Sequence, residues 1–257
     1  MRFEFGKNWR QFIALLDETR VLEAKKSLQN MLDVKDFRSK SFLDAGSGSG
    51  LFSLAARTLG ASVFSFDFDE EAVACTKTLR GQFFPNDSEW KIQRGDVLDQ
   101  EFLNSIQTYD IVYSWGVLHH TGAMWSALEN IAAVVNVEGY LYIAIYNDQG
   151  LISRYWHKVK EIYNTNWVGQ MLMVCVHTPY LYGLRRLVRM IQGRGVLPRG
   201  MDLWRDMMDW LGGFPFEVAK PEEVIRVFTC RGFRLVTLKT CGGRHGCNEF
   251  VFRKEKL

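Results

Sequence analysis

Apolar and polar positions change period several times along the chain. Over residues 8–33, Trp9, Phe12, Leu15, Leu16, Leu28 and Leu32 fall near helical spacing with charges between them, which predicts an amphipathic N-terminal helix. From residue 41 onward, short apolar runs alternate with helix-period segments. Strands are predicted at Ser41–Ala45, Ser62–Phe66, Trp90–Gln93, Ile111–Ser114 and Tyr140–Tyr146. Leu51, Leu54, Ala55 and Leu59 mark one face of a helix, and further helices are expected over 69–80 and 122–136. Tyr140–Tyr146 is nearly continuous in apolar residues, as a strand buried on both faces should be.

Strand–helix alternation builds βαβ units, and so a parallel sheet with right-handed crossovers. After Asn147 the pattern breaks, and residues 147–215 read as irregular helices rich in Trp, Tyr, Met and Arg. Alternation returns at Pro221, a helix-start residue followed by Glu222 and Glu223, with Gly232 closing that helix. Strands at Phe233–Thr240 and Asn248–Arg253 are joined by a turn too short for a crossover, so the last strand runs antiparallel to its neighbour. The expected architecture is α/β, a Rossmann-like doubly wound sheet with a helical lid inserted after the fifth strand. It divides into an N-terminal helical segment (1–38), a ligand-binding domain (39–146 and 216–257) and the lid (147–215).

Composition narrows the class. The 257 residues are 47% hydrophobic and 24% charged, which is ordinary for a globular chain long enough to bury a core. A net charge of +3 is too mild to point to nucleic acid. Five unevenly spaced cysteines argue against a disulfide framework and for a reducing compartment. The opening MRFEFGKNWR lacks the apolar run and small-residue cleavage site of a signal peptide. The most apolar stretch, Trp167 to Leu184, is interrupted by Gln170, His177 and Pro179 and makes a poor transmembrane span. A cytoplasmic location is the expectation.

The sharpest motif is LDAGSGSG, residues 43–50, placed straight after a strand and straight before a helix. Gly46 and Gly48 allow a tight turn and close approach of backbone to a ligand, and the helix beginning near Gly50 aims its N–H groups at the same place. The spacing is G-x-G-x-G, with Leu51 where a dinucleotide fingerprint departs from it. Asp44 would repel a pyrophosphate but suits the cationic amino group of a methionine moiety. Asp67, in FSFDFDEE at the end of the second strand, is placed to accept from ribose hydroxyls, as in either class of enzyme. Asp96, in RGDVLD, can accept from an adenine amino group, and Val97 can cover the ring.

Asp44–Gly50, Asp67 and Gly95–Asp96, in this order and spacing, resemble the successive motifs of class I S-adenosylmethionine-dependent methyltransferases. The resemblance covers about Phe42 to Tyr146 and, more weakly, the chain out to Phe252. It implies a seven-stranded sheet with the last strand antiparallel and S-adenosyl-L-methionine as cofactor. It places Asp44, Gly46, Gly48 and Gly50 around the methionine part, Asp67 at the ribose and Asp96 at the adenine, with Ser47, Phe68 and Val97 as further cofactor-binding candidates. The segment YDIVYSWGVLHHT further resembles the ubiquinone- and menaquinone-type methylases, which act on small molecules.

In open parallel sheets the ligand lies beyond the carboxyl ends of the strands. The glycine loop, residues 115–121, the insertion and the turn 240–247 converge on that edge. Methyl transfer to a hydroxyl benefits from a base titrating near neutrality, and His119, His120 and His245 are the candidates. Carbon or nitrogen acceptors need no such base. Trp115 is expected to line the adenine or substrate pocket, and Arg244 and Asn248 to face substrate. Cys241, His245 and Cys247 form C-x3-H-x-C, which is not a standard zinc spacing, so no metal is expected.

The insertion carries the basic excess, with nine Lys or Arg against five Asp or Glu. Arg185, Arg186, Arg189, Arg194 and Arg199 fall in a stretch, 162–201, without an acid and beside the apolar segment 167–184. A lid with an apolar underside and a solvated basic face explains this pattern. So does a small-molecule substrate with an apolar part and an anionic group, lipid-linked or phosphorylated, or transient contact with an anionic membrane surface. Phe3, Phe5, Trp9 and Phe12 either close over the cofactor or only pack. The competing functions are an NAD-dependent oxidoreductase and a non-catalytic S-adenosylmethionine-binding module.

Overall fold

The computed structural model describes residues 18–193 and 203–256. The N-terminal aromatics through Phe12, with Arg194 and Arg199, lie outside the described residues. The seven strands are β1 (Ser41–Ala45), β2 (Ser62–Asp67), β3 (Trp90–Arg94), β4 (Tyr109–Trp115), β5 (Val135–Tyr146), β6 (Phe233–Lys239) and β7 (Cys247–Lys254). They form one sheet in the order β3-β2-β1-β4-β5-β7-β6, in which β7 alone runs opposite to the other six. Both the seven-stranded count and the reversed last strand match the sequence expectation.

Helices α1 (Glu18–Leu32), α2 (Leu51–Thr58) and α3 (Glu70–Phe83) precede β3. Leu28, Leu32, Leu54 and Leu79 from these helices pack with Phe42, Trp90 and Tyr113 against one face of the sheet. Helices α4 (Gln100–Ser105), α5 (Met124–Ala133) and α10 (Pro221–Thr229) cover the other, where Leu103, Leu128 and Phe228 meet Leu43, Val112 and Phe250. Each side chain of this size taken fully from water is worth about 1.5–3 kcal/mol, so the two layers fix the sheet firmly under the site.

Local chemistry explains where elements begin and end. Asp69 starts α3 by accepting from the Glu71 N–H at 2.9 Å, and Asp99 starts α4 by accepting from Glu101 and Phe102. Helix α4 has no counterpart in the apolar periodicity, because one cap and one buried Leu103 suffice for so short an element. Helix α5 stops at Ala133, short of the expected 136, and β5 starts at Val135. Val134 and Val135 are β-branched and favour extended backbone. Between Val135, paired with Tyr109, and Tyr140, paired with Ile111, the chain makes an excursion that the polar sequence NVEG hid as a loop.

The insertion folds as α6 (Leu151–Thr165), α7 (Trp167–Thr178), a π-helical turn (Pro179–Leu184), α8 (Arg185–Ile191) and α9 (Leu203–Gly212). These helices build their own small core from Trp156, Val159, Tyr163, Met173, Leu181, Met207 and Leu211. The chain returns to the sheet through Glu217, whose N–H donates to the His119 carbonyl at 3.0 Å and whose carboxylate accepts from Met124 N–H at 3.1 Å. No helix among the described residues is long and apolar enough to cross a membrane.

Candidate active site

Beyond the carboxyl ends of β1, β2, β4 and β5, one cavity of about 1120 Å³ runs from the glycine turn to the lid. A pocket for one small ligand spans roughly 300–1,000 Å³, so this space accommodates a cofactor and an acceptor together.

The glycine end is built by backbone. After Asp44 the chain turns so that the N–H groups of Gly46 and Ser47 both reach the Phe66 carbonyl, at 2.8 and 3.1 Å. Gly46 has φ 86°, and a Cβ there would stand 2.4 Å from Val117 Cγ2, so no other residue fits. The Gly48 N–H donates to Asp67 Oδ2 at 2.9 Å, which ties the turn to the tip of β2. Asp67 Oδ1 accepts from the Asp69 N–H at 2.9 Å. Ser47 Oγ lies 3.0 Å from Thr76 Oγ1, anchoring the turn to α3.

Asp44 is 2% exposed, and its carboxylate accepts from Ser53 Oγ. Burial pushes its pKa up to about 7; Asp67's charge adds to this, and the Ser53 hydrogen bond opposes it. A buried carboxylate at a cavity wall, hard to ionise without a cation, fits the ammonium of a methionine moiety and not a diphosphate. With the glycine turn and Asp67 alongside, this end of the cavity fits S-adenosylmethionine.

The other expected residues divide. Phe68, Trp115, His120 and His245 line the cavity with Asp44, Gly46, Ser47, Gly48 and Asp67, whereas Gly50 lies below it as the left-handed residue (φ 80°) that starts α2. Asp96 and Val97 do not reach it. Asp96 Oδ1 accepts from the Leu98 N–H in a turn leading to α4, and Val97 is buried among Phe66 and Leu103. Arg94 occupies the wall there instead, paired with Glu70 at 2.9 Å and lying over the Phe68 ring at 5.6 Å. Arg244 does not line the cavity, and Asn248 is spent on the turn, accepting from Cys241 N–H and donating to Asn147.

The histidine pair separates because a 3₁₀ turn, Leu118–His120, sends successive side chains in different directions. His119 is fully buried, outside the cavity lining. Its Nδ1 accepts from the Tyr146 N–H at 3.3 Å and its ring packs on Tyr146 at 3.9 Å. Burial, then the neighbouring His120 and Lys160, drive its pKa well below the ordinary imidazole range. His119 therefore sits in the core rather than at the cavity, which leaves His120 and His245 as the candidates that line it. His120 faces the cavity, and its Nδ1 lies 2.6 Å from the Pro215 carbonyl. A carbonyl only accepts, so Nδ1 carries a proton, and in the neutral ring Nε2 then holds the lone pair. His245 lies between Trp156 and Trp210, at 5.7 and 5.6 Å, and burial lowers its pKa.

Other wall residues were not assigned to the site one by one from sequence. Tyr113 stacks on Phe52 at 4.8 Å. Trp156, Tyr180, Arg185, Arg189, Asp209 and Trp210 come from the lid. Their Trp, Tyr and Arg enrichment was visible, but not which of them faced inward. Behind Trp210, Lys160 is fully buried, donates to the Trp210 carbonyl and sits 4.4 Å above that indole; burial pushes its pKa down to about 7.

The reversed β7 distinguishes this sheet from the all-parallel dinucleotide-binding order, and with the acid-flanked glycine turn it defines the class I S-adenosylmethionine-dependent methyltransferase fold. A methyltransferase-domain family model matches residues 16–196, and the chain belongs to that family, an enzyme family whose cofactor is S-adenosylmethionine. No curated protein matches the chain by sequence. Among solved structures it is similar to magnesium protoporphyrin IX methyltransferase from Synechocystis PCC 6803 with bound S-adenosylhomocysteine, at 12% identity and TM-score 0.54, over 91% of this chain and 83% of that one. It is also similar to an S-adenosylmethionine-dependent methyltransferase from Mesorhizobium loti, at 16% identity and TM-score 0.53, covering 89% and 96%. An O-methyltransferase family protein from Burkholderia thailandensis matches at 10% identity and TM-score 0.55, covering 92% and 57%. At these identities the likeness is one of fold.

Proposed function

We propose that this enzyme methylates a hydroxyl oxygen of an amphiphilic small molecule that bears an anionic group. The observation that carries the reading is what this one cavity brings together: Asp44 and Asp67 at one end, His120 in the wall, and Arg185 and Arg189, with Asp209, among lid aromatics at the other. The likeness of residues 109–121 to ubiquinone- and menaquinone-type methylases supports a small-molecule acceptor.

In this reading Asp44 holds the cofactor's ammonium and Asp67 its ribose hydroxyls, two further bonds being within a carboxylate's acceptor capacity. Phe68 and Trp115 flank the adenosine. The cofactor supplies a sulfonium-bound methyl. Bound at this end, it would present that methyl to an acceptor oxygen held beside His120 and would depart as the neutral thioether, its sulfur keeping the electron pair of the carbon–sulfur bond. His120 Nε2 takes the hydroxyl proton, and the Pro215 carbonyl steadies the imidazolium through Nδ1. Trp156, Trp210 and His245 pack together and help exclude water from the reacting atoms. Arg185 and Arg189 give an anionic acceptor a charge partner at the far end.

The test is a labelled-methyl assay over a fractionated metabolite extract. The reading expects label in acidic amphiphilic species as methyl ethers or esters, with turnover falling in His120→Gln. Label confined to macromolecules, or on carbon or nitrogen with His120→Gln unimpaired, contradicts it.

A further inference from the structure

The lid leaves an unusual amount of apolar surface in solvent. Of the 23 exposed large apolar side chains among the described residues, 16 belong to residues 147–215. Eleven of those lie on the continuous helical run Trp167–Ile191, where Trp167, Met190 and Ile191 are 72%, 70% and 78% exposed. Isolated apolar residues on a surface need no account, but a contiguous patch marks a contact site.

Charge decides what kind of contact. No acid occurs between Glu161 and Asp202, while Arg185, Arg186 and Arg189 punctuate the run. Arg186 is exposed on this face, Arg185 and Arg189 are half-buried in the adjoining cavity wall, and the face carries no carboxylate of its own, so it is complementary to an anionic lipid interface, where the apolar side chains enter the acyl boundary and the exposed cation meets the headgroups. The run changes from α-helix to a π-helical turn at Pro179, and none of its helices is long and apolar enough to cross a membrane, which fits a helical segment lying in the interface plane.

The same helices carry the far wall of the cavity: Tyr180, Leu184, Arg185, Val188 and Arg189 line it. Tyr180, Leu184 and Val188 are also among the exposed residues, so the apolar surface and the cavity wall are continuous.

We infer that the Trp167–Ile191 face docks on anionic membrane surfaces. Docking brings the lid side of the cavity to the lipid interface, where an amphiphilic acceptor resides. The docking claim stands on exposure and charge alone; its link to the acceptor rests on the reading proposed above.

Cosedimentation of the full chain tests it, using phosphatidylcholine vesicles with and without phosphatidylglycerol. Two variants avoid the cavity wall: Arg186→Gln, and a combined Trp167→Ser, Leu172→Ser, Met190→Ser, Ile191→Ser. Binding is expected with phosphatidylglycerol vesicles, weak with phosphatidylcholine alone, and reduced by salt. Arg186→Gln is expected to lower partitioning roughly fivefold, and the combined variant to abolish it. S-adenosylhomocysteine titration in buffer reports separately on fold and cofactor site, and both variants are expected to match the parent. No sedimentation with either vesicle, or equal sedimentation of parent and combined variant, overturns the inference. So does a parent dimer in solution that the combined variant loses, since a second copy would then cover this face.

Discussion

The buried carboxylate at the end of β1 makes a quantitative demand on cofactor binding. Asp44 is buried, and its pKa stands at about 7 in the ligand-free protein. If it must be ionised to hold an ammonium, each pH unit below about 7 leaves roughly a tenth as much of the competent form, or about 1.4 kcal/mol per unit. Affinity for S-adenosylhomocysteine should then be about tenfold weaker near pH 6 than near pH 8, levelling off above neutrality. Asp44→Asn keeps shape but removes the titration, so its affinity should not follow this profile. Near pH 8 it should bind about ten- to a hundredfold more weakly than the parent, the scale of one charge-assisted hydrogen bond at about 1.5–3 kcal/mol. Titration calorimetry across this range reads both proteins. Ionisation of the ligand's own amino group is common to the two and cancels in their ratio. The sign also fixes stability. With the folded pKa raised from 3.8 to about 7, the folded state holds the proton longer, so this group's contribution falls as pH rises through that window and is constant above it. A parent profile that is flat, or one that persists unchanged in Asp44→Asn, would refute the assignment.

Three further outcomes are expected. His120→Gln should lower kcat by about 10²–10⁴ while leaving S-adenosylhomocysteine affinity unchanged, as read by steady-state kinetics beside calorimetry. Gly46→Ala should abolish cofactor binding, because the new Cβ meets Val117 at 2.4–2.9 Å on backbone with φ 86°; retained affinity in a folded variant would contradict the loop geometry. For Lys160, burial lowers the folded pKa from 10.5 to about 7, so the unfolded chain binds the extra proton and its contribution to stability rises with pH between those values. Lys160→Met should flatten that part of the denaturation profile and be more stable near neutral pH, by as much as several kcal/mol.

Most of the sheet was legible because strands buried on both faces read as near-continuous apolar runs, as Tyr140–Tyr146 shows. The glycine turn was legible because φ near 86° and contact with Val117 restrict the residue type. What escaped was what the periodicity does not encode. Asp96 and Val97 read as adenine contacts from strand position, but the backbone turns there into α4, which leaves Arg94 and Phe68 at the wall. Adjacent histidines look equivalent in sequence, and only the 3₁₀ turn assigns one to the core and one to the cavity. The lid wall depends on how α6 to α9 pack on one another, a tertiary outcome that enrichment in Trp and Arg foreshadows without assigning faces.

Titration of the pure 257-residue chain with S-adenosylhomocysteine and, separately, with NAD addresses the whole account in one instrument. A saturable one-to-one heat with the first, none with the second, and loss of the first on Asp67→Ala is the predicted result. Saturable heat with NAD and none with the sulfur nucleoside would mean that the acid-flanked glycine turn cradles a diphosphate after all.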